Sequence, residues 1–146
     1  MDVFPYGDKE ISHLTRRDKK LGAAMERIGI IERPVTPDPF QALARNIIAQ
    51  QISGPAARTV ADRLDAALGG VTPQSIAATS LEDIQRCGLS FRKAGYLKSL
   101  GDAALSGALD CSALAALSDE EVIATLSALP GIGVWTAEMV LLFSLC

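Results

Sequence analysis

From Leu129 to Glu138 the chain reads Leu-Pro-Gly-Ile-Gly-Val-Trp-Thr-Ala-Glu, and an apolar run from Met139 to Cys146 follows. Gly131 and Gly133, one residue apart, let the backbone turn tightly and leave its N–H groups uncovered. A helix beginning just after them would present those N–H groups at its positive end. Main-chain amides so arranged bind anions, and a nucleic-acid phosphate is one such anion. On physical grounds alone the same residues also suit a plain tight turn between two antiparallel helices. Metal chemistry is argued against: Cys87, Cys111 and Cys146 are widely spaced and His13 is the single histidine. Neither a zinc site nor an iron–sulfur cluster is expected from such spacing. The thiols read as reduced groups of a cytoplasmic protein, and His13, among polar residues, reads as a surface histidine.

The balance of charge constrains how an anion could be held. The 146 residues carry a net charge of −3, which alone argues mildly against a nucleic-acid binder. Seven of the fourteen Lys and Arg precede residue 35, and seven lie from Arg45 to Lys98. Beyond Lys98 stand six acids and no cation, so a phosphate contact in the last third must come from backbone N–H groups.

The elements that would position these groups are helical. Hydrophobic residues make up 49% of the chain, mostly Ala, Leu, Ile and Val, and no segment alternates over strand length. An all-α fold of eight to ten helices, one domain with a sizeable core, is expected. There is no 18-residue apolar run and no signal-peptide pattern at the start, so no membrane span or secretion is indicated. An extended arm leads into a helix from Asp8 to about Ile31, interrupted by Arg16-Arg17-Asp18-Lys19-Lys20, a solvated face in the plainer reading. Pro34, Pro37 and Pro39 form a stiff connector, dividing residues 1–34 from a helical core of residues 35–146. Asp38-Pro39-Phe40-Gln41 opens a helix as a capping box, with Phe40, Leu43, Ala44, Ile47 and Ile48 on its core face. Ser53 caps the next helix, with Ala57, Val60, Ala61, Leu64 and Leu68 inward. Short helices start near Thr72 and Ser80, a longer one near Phe91, a single turn near Asp110, and a capped one at Ser118.

Helix, Leu-Pro-Gly-Ile-Gly hairpin and helix, over about residues 119–146, is the pattern of a helix-hairpin-helix element. With Val134-Trp135-Thr136-Ala137 added, the chain resembles the helix-hairpin-helix DNA glycosylase superfamily, specifically its monofunctional 3-methyladenine DNA glycosylase II branch. Two further segments, in the family's order, are similar to its own. They are Ile47-Ile48-Ala49-Gln50-Gln51-Ile52-Ser53 and Gly88-Leu89-Ser90-Phe91-Arg92-Lys93-Ala94-Gly95-Tyr96-Leu97. The resemblance spans about residues 36–146, and it makes residues 1–34 part of a second lobe.

This resemblance implies that double-stranded DNA with damaged bases is the partner, and that no nucleotide cofactor is needed. It puts N–H groups around Gly131, Gly133, Val134 and Thr136 on a phosphate, and the carbonyls of Ser127, Leu129 and Ile132 on a bridging Na+ or K+. Arg92, Lys93 and Lys98 would touch the DNA backbone. Gln50 and Gln51 would lie at the loop pushed into the duplex, with Gln51 the wedge. Trp135 stands where relatives similar to endonuclease III keep a Schiff-base lysine; with no amine there, the β-lyase route is closed at this position. Its π face suits a flipped, positively charged alkylated base, with Met139 lining the same pocket. The plainer reading makes Trp135, Met139, Leu142 and Phe143 a core stripe.

One departure stands out. The family's catalytic aspartate lies about one helix beyond the tryptophan position, and Glu138 comes too early to be it. The apolar stretch Met139–Cys146 also stops without a capping residue and reads as a buried helix. The expectation is therefore a fold incomplete at its C-terminus and, by itself, without glycosylase activity. A non-catalytic helix-hairpin-helix module binding DNA or protein is the alternative, and a lyase would need a lysine beside position 135.

Overall fold

The computed structural model describes residues 2–146, which fall into two compact units. The first runs through Val35 and takes in Cys146; the second is Thr36–Leu145.

In the first unit an extended arm pairs with the proline connector: the Phe4 N–H donates to the Arg33 carbonyl at 2.8 Å and that of Val35 to the Asp2 carbonyl at 2.9 Å. Two helices, α1 (Asp8–Arg17) and α2 (Lys19–Ile28), replace the single helix expected from the periodicity. Asp18 divides them. With φ −137° it leaves helical geometry, and its carboxylate accepts the Lys20 and Leu21 N–H groups at 2.9 and 3.0 Å. A short acid that can bond the next turn's amides competes well with helix continuation. Gly22 then allows close packing, since a Cβ there would lie 2.7 Å from the Thr15 methyl.

The second unit is built on α3 (Pro39–Ala49), whose Phe40, Leu43, Ala44, Ile47 and Ile48 are buried. Asp38 caps it through the Phe40 and Gln41 N–H groups at 2.9 and 3.3 Å. The expected capping box does not form, because the Gln41 side-chain amide donates instead to the Val71 carbonyl. Around α3 lie α4 (Gly54–Leu68), the short α5 (Pro73–Ala78) and α6 (Leu81–Arg86), and the long α7 (Phe91–Ser106). Leu97 and Leu100 of α7 are wholly buried, each contributing about 1.5–3 kcal/mol. Asp110 organises a single 3-10 turn at Leu114–Ala116, accepting the Ser112 and Ala113 N–H groups. The pair α8 (Asp119–Ser127) and α9 (Val134–Phe143) closes the unit, with Ser118 and Glu121 forming the expected capping box. Among the described residues there is no strand, only one isolated bridge between Val3 and Pro34. No described helix is long and apolar enough to cross a membrane.

α9 is not wholly buried, contrary to its composition. Thr136, Ala137 and Val140 face inward, but Trp135, Glu138 and Leu142 are exposed and Met139 is half-buried. Packing on α8 and α3 covers one side of α9.

Candidate nucleic-acid interface

Two turns of the same backbone type form the centre of the site. Leu129-Pro130-Gly131-Ile132 joins α8 to α9, with the Ile132 N–H donating to the Leu129 carbonyl at 3.1 Å and Gly131 at φ 80°. Proline then glycine at the central positions, the latter left-handed, defines a type II turn. Gly131 is also required by space: a Cβ would lie 2.2 Å from a ring carbon of Tyr96.

Ala49-Gln50-Gln51-Ile52 joins α3 to α4. The Ile52 N–H donates to the Ala49 carbonyl at 3.3 Å. Gln50 has φ −52° and ψ 126°, and Gln51 has φ 57°. This too is a type II turn, with glutamine where glycine is favoured. Gln51 is the one non-glycine residue at positive φ among the described residues, a conformation costing about 1–2 kcal/mol.

The two turns are bonded to each other and to α7. Gln50 Nε2 donates to the Gly131 carbonyl at 2.7 Å. Lys93 Nζ donates to the carbonyls of Ile48 and Gln50 at 2.8 and 2.6 Å. Together they bound an open cleft of about 560 Å³, lined by Gln50, Gln51, Ser90, Arg92, Lys93, Tyr96 and Gly131. Three stretches far apart in the chain thus meet in one place, and the lining holds two cations and no acid.

Next to the hairpin, α9 begins with no side-chain cap on Gly133. The first backbone bond of the helix is that of the Ala137 N–H to the Gly133 carbonyl at 3.1 Å, so the Val134, Trp135 and Thr136 N–H groups have no partner within the helix. Nothing lies within 4 Å of a Cβ built on Gly133. Val134 is 54% exposed and Trp135 66%, so the core-stripe reading of the tryptophan does not hold.

The expected site residues divide accordingly. Gln51 is exposed at the cleft edge, whereas Gln50 is half-buried and its amide braces the hairpin through the Gly131 carbonyl. Arg92 is exposed in the first turn of α7. The Lys93 ammonium donates to two main-chain carbonyls, and burial lowers its pKa below the ordinary lysine value. Lys98 is likewise engaged, on the carbonyls of Ile76, Ala77 and Thr79 at 3.2, 2.7 and 2.9 Å. Carbonyls at a helix end lack helical partners, and an ammonium has three protons to offer them. Thr136 is buried, and its N–H has no partner within the helix. Exposed Phe91 and half-buried Tyr96 belong to the segment similar to the family's own, but the sequence alone gives neither a site role. The Leu129 carbonyl accepts the Ile132 N–H and retains a second lone pair, so Ser127, Leu129 and Ile132 still offer three neutral oxygens. Among the described residues no cluster of three or more His, Cys, Asp or Glu is placed to hold a metal ion. Burial pushes the Cys87 and Cys111 thiols up, away from thiolate chemistry.

An all-helical fold presenting an uncapped glycine hairpin is the architecture of helix-hairpin-helix repair proteins, and residues 44–138 match the model of the HhH-GPD superfamily base excision DNA repair proteins. The chain belongs to that superfamily. It is 37% identical over 112 residues to DNA-3-methyladenine glycosylase 1 of Schizosaccharomyces pombe, covering 74% of this chain and 49% of that protein. The chain therefore spans about half the length of this curated relative. Among solved structures it is similar to DNA-3-methyladenine glycosidase from Bacillus halodurans, with a TM-score of 0.81 at 34% identity over 99% of this chain and 68% of that one. It is also similar to the S. pombe 3-methyladenine DNA glycosylase in complex with abasic DNA, with a TM-score of 0.86 at 31% identity over 94% of this chain and 70% of that one.

Proposed function

We propose that this chain is the DNA-holding part of a base-excision-repair glycosylase, acting in the cytoplasm on double-stranded DNA. The reaction is monofunctional hydrolysis of the N-glycosidic bond of alkylated purines such as 3-methyladenine. The observation that carries this reading is Trp135, 66% exposed in the first turn of an uncapped helix beside the glycine hairpin. The relatives' activity supports the substrate class.

In this reading the N–H groups of Gly133, Val134, Trp135 and Thr136 hold a phosphate at the positive end of α9. The carbonyls of Ser127, Leu129 and Ile132 suit a Na+ or K+, which would add positive charge beside that phosphate. Gln51 enters the stack where the damaged base leaves, and the base lies on the indole of Trp135. An alkylated purine carries positive charge, so the ring face attracts it. Tryptophan offers no amine, so water and not the protein attacks the sugar. After Trp135 the chain has one carboxylate side chain, the exposed Glu138, one turn along the same helix.

Trp135 is the single tryptophan, so its emission reports the site directly. Duplex DNA with an abasic analogue, supplemented with free 3-methyladenine, should quench that emission more than undamaged duplex does. Equal emission with both duplexes would overturn the stacking role. Replacing Na+ by tetramethylammonium at equal ionic strength should weaken binding if the hairpin carbonyls hold a cation.

A further inference from the structure

Type I and type II turns differ mainly by a flip of the central peptide plane. In Ala49–Ile52 that plane is the Gln50–Gln51 peptide, and its oxygen is the Gln50 carbonyl held by Lys93 Nζ at 2.6 Å. Glutamine at the third position favours type I, which needs no positive φ. The observed turn is type II, with Gln51 at φ 57°. Something must hold the flipped plane, and Lys93 is bonded to its oxygen. The same ammonium also binds the Ile48 carbonyl at 2.8 Å, fixing the end of α3 from which the turn springs. On the other flank Gln50 Nε2 grips the Gly131 carbonyl at 2.7 Å, so the turn's orientation is tied to the hairpin.

We infer that Lys93 is a positioning residue that selects the type II form of the Gln50–Gln51 turn and so aims the Gln51 side chain into the cleft mouth beside the hairpin. The inference rests on the DNA-binding reading above for its purpose, but not for its geometry. Lys93 acts through Gln51 and touches no base. When the ammonium is removed, the peptide flips to type I, Gln51 swings to negative φ, and the side chain no longer points where the duplex would open. The hairpin amides are untouched, so duplex binding through phosphate survives while distortion at the lesion does not.

The test has a DNA-free arm and a DNA arm. In a type II turn the Gln50 Hα lies close to the Gln51 N–H and gives a strong nuclear Overhauser effect; in type I that effect is weak. It should be strong in the parent chain, weak in Lys93→Met, and strong again in the double variant Lys93→Met/Gln51→Gly, because glycine accepts positive φ unaided. Lys98→Met, which removes a similar carbonyl clamp elsewhere, should leave it strong. If Lys93→Met does not fold, Lys93→Gln, which lacks the ammonium's charge and reach, takes its place in the same series. A strong effect in the folded Lys93 variant, or no recovery in the double variant, overturns the inference.

In the DNA arm, 2-aminopurine is placed next to an abasic analogue in a duplex. It should brighten with the parent chain and fail to brighten with Lys93→Met, while affinity for undamaged duplex changes less than about twofold. Parallel loss of brightening and affinity would make Lys93 merely structural. If the parent chain binds no duplex, the proposed function fails, and the Overhauser series still decides the role of Lys93.

Discussion

The hairpin turn Leu129–Ile132 and the turn Ala49–Ile52 share a backbone conformation and reach it by opposite means. The first has proline and glycine where a type II turn favours them, and its glycine is further demanded by the Tyr96 ring. Its shape is written locally. The second has two glutamines, and its left-handed residue is held against its own preference by a distant lysine. Lys93 reaches Gln50 and Ile48 across sequence separations of 43 and 45 residues. The difference follows from what each turn presents. A phosphate anchor needs bare main chain, and glycine provides it. A wedge needs a side chain, so glycine is excluded and the strain must be met from outside.

The strongest way to break this contrast is Gly131→Ala. It adds left-handed strain and a collision with Tyr96, and is expected to cost about 2–4 kcal/mol in urea unfolding. A loss below about 1 kcal/mol would mean the ring moves freely and the turn is not locally dictated. Gly133→Val should behave differently. The residue has φ −94° and ψ 172°, which a β-branched side chain adopts, and its Cβ meets open space. Stability should stay within about 0.5 kcal/mol while affinity for an abasic duplex falls about tenfold or more, read by fluorescence anisotropy. Equal losses would make the hairpin a structural turn only.

Pro130→Ala removes the preset φ of the hairpin turn, and a destabilisation of about 0.4–1 kcal/mol is expected in the same urea measurement. Gln51→Gly should have the smallest effect and the opposite sign. It relieves about 1–2 kcal/mol of strain and loses about 0.5–1 kcal/mol to a freer unfolded chain, a net gain of about 0.5 kcal/mol. A destabilised Gln51→Gly would show that the glutamine side chain itself holds the turn.

Much of this molecule was legible without coordinates. The apolar face of α3, the box at Ser118 and Glu121, and the glycine hairpin are local patterns whose physics lies within one turn of helix. What was not legible depended on partners distant in sequence. Lys93 and Lys98 looked like exposed phosphate-contacting cations, because a sequence cannot show that unsatisfied helix-end carbonyls lie above them. Gln41 looked like a capping residue until the Val71 carbonyl claimed its amide. The burial of α9 was overestimated because composition states that a helix is apolar, not how many of its sides are covered.

The sequence by itself determined the all-helical class, the hairpin with its uncapped amides, and the absence of an amine at Trp135. Each depends on residue identity and short spacing. Only the tertiary structure decided that Gln50 braces while Gln51 is exposed at the cleft edge, that Lys93 belongs to the protein's own backbone, and that Trp135 is exposed. Those outcomes turn on which carbonyls lack partners and which faces remain uncovered. Such quantities exist only once the chain has folded back on itself.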